Sequence, residues 1–327
     1  MLRTPVCSVA PNRRRRTMRI ATFNVQNMRL RQVAGHPRLS GAKDHDAINE
    51  DIRDDFVLDP IDRLLTAAVL RRADADVVAL QEVYDKETLD YFHENYLVAR
   101  GMRPYEQRIC LPGNDGRGYD VALMSRVELS DVISHAGVTA GELGIGNPPQ
   151  RDENEPIFRR DCLSARVGPL TLYICHFKAP YPDPDDAWSA RRLEALAVRR
   201  LIERQFSDPA AAMWIILGDL NEPLYETRRE RAIAPLTDGF AVDLVKRHPT
   251  GRQWSYHLRD NDSYSRPDAM LASPALARAW PDAVPYYLRE GLSRNARRYT
   301  GQRLPGVGEE RPHASDHAAL VIDLAGI

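Results

Sequence analysis

Seven short apolar runs, each closed by a polar residue, constrain this chain more than any other feature: "RIATFNV", "DVVALQEV", "YDVALMS", "LTLYICHF", "MWIILGDLN", "DAMLAS" and "AALVIDL". Runs of this length bounded by turn residues read as buried strands. The stretch "WIILGDLNEP" shows the pattern most sharply. Trp214 to Leu217 is apolar at every position, so both faces of that strand need cover, and Gly218 then hands over to Asp219 and Asn221. Residues two apart on a strand share a face. If the strand geometry persists past Gly218, a carboxylate and an amide project together from the strand's carboxyl end, where open sheets hold ligands.

Two helical patterns lie between the strands. From about Asp59 to Arg72, Ile61, Leu64, Leu65, Ala68 and Val69 recur at helical spacing, with Pro60 as a first-turn residue. From about Asp186 to Gln205, Leu193, Leu196, Ala197, Leu201 and Ile202 form one apolar stripe. Many strands and few helices in irregular alternation predict a layered α/β fold with more than one sheet. A chain of 327 residues can bury such a core. Residues 18–327 read as a single domain, and residues 1–17, with their "RRRR", as a disordered extension.

That extension holds no apolar run long enough for a signal peptide or a membrane span, which predicts a cytoplasmic protein. Cys7, Cys110, Cys162 and Cys175 fall in no CxxC pair, against a zinc site or a disulfide framework. Cys162 and Cys175 flank a hairpin turn at Gly168-Pro169 and read as facing, reduced core thiols. With 45 basic and 46 acidic residues the chain has no global field toward nucleic acid or an anionic membrane, so any polyanion affinity must be local.

Two polar inserts break the strand pattern. Arg31 to Asp59 is acidic toward its end, with Asp44, Asp46, Glu50, Asp51, Asp54, Asp55 and Asp59, but its spacing matches no calcium loop and it reads as a solvated surface insert. Arg289 to Arg311 sets six arginines against Glu290, Glu309 and Glu310, a net +3, immediately before the last polar cluster. Such a loop either holds substrate phosphates or is simply solvated.

The polar residues at the strand ends are Asn24, Gln81, Glu82, His176, Asp219, Asn221, Asp268, Asp316 and His317. Each alone has a plain explanation as a cap or turn residue. Strand after strand ending in Asn, Asp, Glu or His is instead the ring of groups that metal-assisted chemistry on phosphate needs.

In their order, "TFNVQN", "LQEV", "RGYDVALMSR", "HFK", "GDLN", "RPDAML" and "SDH" resemble the endonuclease/exonuclease/phosphatase superfamily, which includes deoxyribonuclease I, exonuclease III, neutral sphingomyelinase and the inositol polyphosphate 5-phosphatases. The resemblance runs from Met18 to about Leu324. It implies two packed mixed β-sheets flanked by outer helices, a four-layer α/β sandwich like that of deoxyribonuclease I, with the active site at one rim. It implies a phosphoester hydrolase, foremost a phosphodiesterase or nuclease, with Mg²⁺ or Mn²⁺ as cofactor. A phosphomonoesterase or a small-molecule or lipid-headgroup phosphodiesterase is the alternative on the same scaffold, and a non-catalytic binding module a third.

The resemblance also carries roles. Glu82 would be the principal ligand of the hard cation, with Asn24 and Asp316 helping directly or through water. Asp219 would orient or deprotonate the attacking water, which Asn221 would position. His317, held by Asp268, would contact the scissile phosphate, and His176 would donate to a non-bridging oxygen or the leaving group. Asn114 and Arg117, in "GNDGRGYDVALMSR", and Lys178 are candidate substrate contacts. The expected partner is a phosphate ester, DNA and RNA included, and no protein partner is evident. Pro267 and Ala269 depart from the family's Ile and aromatic around this Asp. Because Pro267 lacks a backbone donor, its strand should start at or near a sheet edge. The chain lacks the 5-phosphatases' "WCDRIL"-like stretch, which argues against an inositol phosphatase. It also lacks a long apolar hairpin, which argues against a membrane-bound sphingomyelinase.

Overall fold

The computed structural model describes residues 17–43, 52–146, 152–223 and 230–327, without the side chains of 52–56 and 260. The extension before Thr17, the acidic residues Asp44, Asp46, Glu50 and Asp51, and the side chains of Asp54 and Asp55 lie outside the described residues.

Two six-stranded sheets form the centre. In chain order the strands are β1 (Thr17–Met28), β2 (Val77–Val83), β3 (Gln107–Cys110), β4 (Asp120–Ser125), β5 (Ser130–Ser134), β6 (Cys162–Val167), β7 (Leu170–His176), β8 (Trp214–Asp219), β9 (Val242–Asp243), β10 (Asp268–Ala272), β11 (Tyr286–Leu288) and β12 (Ala319–Ala325). The first sheet runs β11-β12-β1-β2-β4-β3 and the second β9-β10-β8-β7-β6-β5. Each is mixed: β1 with β2 and β7 with β8 are parallel, while their other neighbours are antiparallel. The carboxyl ends of these two parallel pairs carry Asn24 and Glu82, and His176 and Asp219.

Residue alternation explains why the central strands are apolar throughout. Ile20, Val77, Ala79, Leu172, Ile215 and Leu217 fill the layer between the sheets. Their strand neighbours Phe23, Val78 and Leu80 pack outward against Leu65, Val69 and Leu70 of helix α1 (Ile52–Ala73). Likewise Tyr173, Trp214 and Ile216 pack against Leu193, Ala197, Val198 and Ile202 of helix α2 (Pro184–Gln205). Both faces of "WIIL" are therefore covered, each such side chain contributing roughly 1.5–3 kcal/mol of burial. The expected four-layer sandwich is the fold observed.

Several sequence expectations meet their structure here. Cys162 and Cys175 face each other in register across the β6–β7 hairpin, with sulfurs 3.7 Å apart and both thiols free. α2 begins two residues before the expected Asp186, capped by Asp183, whose carboxylate accepts from the Asp185 and Asp186 amides. α1 is a correction: it starts at Ile52, leaving Pro60 inside the helix and not in its first turn. The apolar stripe starts only at Ile61, so periodicity missed the earlier turns. β10 opens directly after Pro267, and β9 pairs only with Leu271 and Ala272, so the Asp268 end of β10 has β8 alone beside it, as a proline at that point requires.

The two inserts differ from their solvated reading. Leu30–Val33 and His36–Leu39 form a two-stranded ribbon, followed by buried Ser40, Gly41 and Ala42. In the basic insert, Leu292 and Ala296 pack with Trp254 and Ala318. The Arg289, Arg294 and Arg303 guanidiniums cap the carbonyls of Trp254, Val307 and Leu292, and Arg311 pairs with Asp59 and Asp62. Four of the six arginines that suggested a phosphate-binding loop thus hold the loop itself together.

Gly218 sits at φ +131°, and a Cβ there would lie 2.0 Å from the Cys175 carbonyl oxygen. Gly218→Ala is therefore expected to cost on the order of 3 kcal/mol, from overpacking against backbone plus an unfavourable φ. Urea unfolding of the purified variant measures it, and an unchanged midpoint would remove this account of the glycine.

Candidate active site

The rim where the two sheets meet gathers the strand-end residues. β8 places Asp219 opposite His176 of β7 on one side and Asp268 of β10 on the other. From the first sheet, the Asn24 amide nitrogen reaches across, donating to Glu82 Oε1 and to Asp219 Oδ2, each at 3.1 Å. Asn24 is thus the hydrogen-bonded bridge between the sheets at this rim.

Backbone irregularity aims these groups. The β2–β4 ladder shifts register between Gln81 and Val83, so Glu82 drops out of the pairing at φ 65° and turns its carboxylate to the rim. β1 shifts register beyond Asn24, where Gln26 and Asn27 take φ 48° and 56°, and the Asn27 amide donates to Glu82 Oε2 at 2.8 Å. Asn221 is also left-handed, at φ 50°. Each such residue costs of order 1–3 kcal/mol, strain of the kind concentrated at functional sites.

Asp219 is 1 % exposed. Its Oδ1 accepts the Asn221 amide at 2.8 Å, and the Asn221 side-chain nitrogen is tied to the Phe177 carbonyl at 3.0 Å. Burial raises the Asp219 pKa, with Asp268 adding to it, while His317, the Asn221 amide and Asn24 oppose. His317 Nδ1 lies 2.8 Å from Asp268 Oδ2, and its Nε2 is 3.8 Å from Asp219 and 4.0 Å from Asp316. Burial works against charge on this ring, but Asp268, Asp316 and Asp219 outweigh it, so His317 is held well above the usual histidine range. It is an imidazolium at neutral pH.

His176 is the opposite case. Burial first, then Arg160 and His317, push it well below its ordinary value, so it is neutral. Its Nε2 lies 3.9 Å from Glu82 and 3.8 Å from Asp219. Two histidines in one site therefore hold different charge states, as a division of labour between them requires.

The candidate substrate contacts separate. Arg117 is exposed, chelates Asp115 at 3.0 and 2.9 Å and lies over the Tyr119 ring. The Lys178 ammonium bonds the Ala179 and Tyr181 carbonyls, on the chain just past His176. Burial, then Arg160, lowers Lys178. Asn114 is not gathered with them. Its amide donates to the Ala136 and Phe158 carbonyls, tying down loops.

Sequence reading missed several contributors. Arg160 is 3 % exposed and pairs with Asp115 beneath Arg117. Tyr256, on a short strand Tyr256–Leu258, packs its ring 4.7 Å from that of His317. Gln26 accepts from the Asp316 amide at 3.2 Å and contacts His313 at 2.9 Å. The quoted "TFNVQN" already contained Gln26, but one sequence gives no sign that its side chain turns back to the last polar cluster.

Four carboxylates, Glu82, Asp219, Asp268 and Asp316, thus converge on a rim whose one charged histidine is His317. Such an excess of negative charge, half of it buried at Asp219 and Asp268, suits a divalent cation, and the donors are the hard oxygens that Mg²⁺ and Mn²⁺ prefer. Among the described residues, Asp219, Asp268 and His317 also offer donor atoms within 4.8 Å of one another.

The sequence profile described as "Endonuclease/Exonuclease/phosphatase family" matches residues 21–317. No curated protein sequence matches the chain at a significant level. Solved structures do. An AP endonuclease from Archaeoglobus fulgidus superposes with a TM-score of 0.53 at 15 % identity, over 95 % of this chain and all of the other. An endonuclease/exonuclease/phosphatase from Beutenbergia cavernae gives 0.58 at 16 %, over 95 % and 72 %. A mannosyl-6-phosphatase from Bacteroides thetaiotaomicron gives 0.54 at 13 %, over 94 % and 99 %. At such identities these likenesses speak to the fold, and the profile speaks to the family. The chain belongs to the endonuclease/exonuclease/phosphatase family, a family of phosphoester hydrolases.

Proposed function

We propose that the protein is a cytoplasmic, divalent-metal-dependent phosphodiesterase of nuclease type that directs water in line onto phosphorus. The observation that carries this reading is the run of contacts Glu82–Asn24–Asp219–His317–Asp268 across the join of the two sheets. In this reading Glu82, Asn24 and Asp316 hold the cation. Glu82 and Asp316 keep 18 % and 23 % of their side chains exposed, open to an ion that retains waters. The Asp219–Asp268–His317 group serves better as an ion-paired triad, because Nδ1 is committed to Asp268 and the ring is charged. A bound Mg²⁺ or Mn²⁺ supplies Lewis-acid stabilisation of the phosphate oxygens.

The chain's own residues do the rest. Asp219 accepts the proton of the attacking water beside Asn221, and His317 donates to a phosphate oxygen. Neutral His176, on the far side of Asp219, has an N–H to offer without adding charge. Arg117 and Lys178 flank that side, where a substrate phosphate or its neighbour would sit. Buried free thiols at Cys110, Cys162 and Cys175 suit a reducing compartment.

A phosphomonoesterase or small-molecule phosphodiesterase is the second reading. It is favoured by one observation, that most arginines of the basic insert are spent on its own fold instead of forming a duplex-binding surface. Hydrolysis of bis(p-nitrophenyl) phosphate, p-nitrophenyl phosphate and plasmid DNA with Mg²⁺ or Mn²⁺ separates the two. Diester and plasmid cleavage are expected, whereas monoester cleavage alone would select the second reading.

A further inference from the structure

Helix α1 turns a polar face inward at Asp62, Arg63 and Thr66, three residues that are all 0 % exposed. Arg63 donates to four backbone carbonyls: Val25 and Ser40 at 2.6 Å, Gly41 at 2.6 Å and Gln26 at 2.7 Å. Val25 and the left-handed Gln26 lie between Asn24 and the Asn27 amide that grips Glu82. Asp62 works on the other half of the site. Its carboxylate accepts the His313 amide at 2.8 Å and the Arg311 guanidinium at 2.6 and 2.8 Å. Thr66 donates to the Ala314 carbonyl at 2.7 Å, just before Ser315, Asp316 and His317.

The two halves meet at Gln26. Its backbone carbonyl takes Arg63, while its side-chain oxygen takes the Asp316 amide and contacts His313 Nε2. Gly41 lies where the halves close, and a side chain there would displace the Arg311, Asp59 and Asp62 side chains. A Cβ there would lie within 2.6 Å of Arg311, Asp59 and Asp62 atoms.

We propose that Asp62 and Arg63, acting through Gln26, are positioning residues that set the spacing between the Asn24–Glu82 half and the Asp316–His317 half, and so fix how tightly the site holds a divalent cation. Asp62 and Arg63 are fully buried, and the Gln26 backbone amide also donates to Asn24 Oδ1 at 2.9 Å. The inference rests on the phosphoesterase reading above. It differs from a purely structural role in one respect: a stabilising clamp would change melting temperature alone, whereas a positioning clamp changes cation affinity in protein that remains folded.

The test uses Mn²⁺ itself, titrated by calorimetry into cation-free protein, with circular dichroism as the check on folding and diester kinetics alongside. Gln26→Met keeps the side-chain volume and leaves the Arg63 contacts to backbone intact, so it is expected to fold. Arg63→Lys retains the charge but only one donor group. Both are expected to weaken Mn²⁺ binding about 10–100-fold, the range typical of groups that orient metal ligands. Gln26→Glu, which restores an accepting oxygen, is expected to recover most of that affinity. Folded variants that bind Mn²⁺ as wild type does would overturn the clamp and leave the phosphoesterase reading standing. Wild-type protein that binds no Mn²⁺ would overturn both.

Discussion

Asp219→Asn is expected to lower kcat for a phosphodiester about 10²–10⁴-fold with little change in fold, because it removes the base while keeping the side chain's shape. The amide oxygen can still accept from the Asn221 backbone, whereas the amide nitrogen, itself a donor, cannot replace the oxygen that accepts from Asn24, so the variant also loses that one hydrogen bond. Burial lifts the free carboxyl, and a bound cation favours its ionised form. The acid limb of the wild-type pH–rate profile should therefore move to lower pH as Mn²⁺ is raised. Rates measured from pH 4.5 to 8 at two Mn²⁺ concentrations check this, and a limb that stays fixed would assign it to another group.

Asp268→Asn is expected to have the second large effect, felt in both stability and rate. Removing one partner of a buried pair leaves an uncompensated charge and costs about 3–5 kcal/mol. The pH dependence follows from the sign of the shift. His317 is raised in the folded protein, so the pair's contribution is fully present below the unfolded histidine value of about 6.5 and is lost as pH rises through the folded value. In EDTA, the stability gap between wild type and variant should thus be widest in acid and narrow toward alkaline pH. A gap independent of pH would mean that the ring is not held charged by Asp268. Diester turnover should also fall about 10²–10³-fold, the loss expected when a donor to the phosphate is no longer held in place.

What the sequence made legible follows from where information is local. The apolar runs end where strands end, so Glu82, His176 and Asp219 could be located from runs and punctuation alone, while Asp268 opens its run, and the parallel pairs with the antiparallel β10 then bring them to one rim. Gly218 is likewise visible as an interruption, although the Cys175 carbonyl that excludes a side chain lies on the neighbouring strand and could not be read. Asp62 and Arg63 were hidden for the same reason. Their partners lie at residues 25–42 and 311–313, and in sequence they look like solvent-facing charges on an amphipathic helix. The basic insert misled because composition counts charges without showing that carbonyls within and beside the loop consume them. The carbonyls of Ala136 and Phe158 that take the Asn114 amide are distant in sequence and could not be read either.

The resemblance implied an imidazolium at His317 beside Asp268, but the charge state of His176 was beyond sequence. Both histidines follow strand-end patterns, yet burial and then Arg160 lower His176, whereas at His317 Asp268, Asp316 and Asp219 outweigh burial and raise it. That difference is a property of tertiary packing, and the assignment of roles depends on it.

The most direct test of the central claim, that this rim is a cation-dependent site for hydrolysing phosphodiesters, is the rate of bis(p-nitrophenyl) phosphate hydrolysis by wild type and Glu82→Gln across a Mn²⁺ titration that begins in EDTA. The account predicts no turnover in EDTA, saturable activation of wild type, and a Glu82→Gln curve displaced to higher Mn²⁺ or abolished. Wild-type hydrolysis that proceeds in EDTA, or a Glu82→Gln curve that overlays wild type, would contradict it.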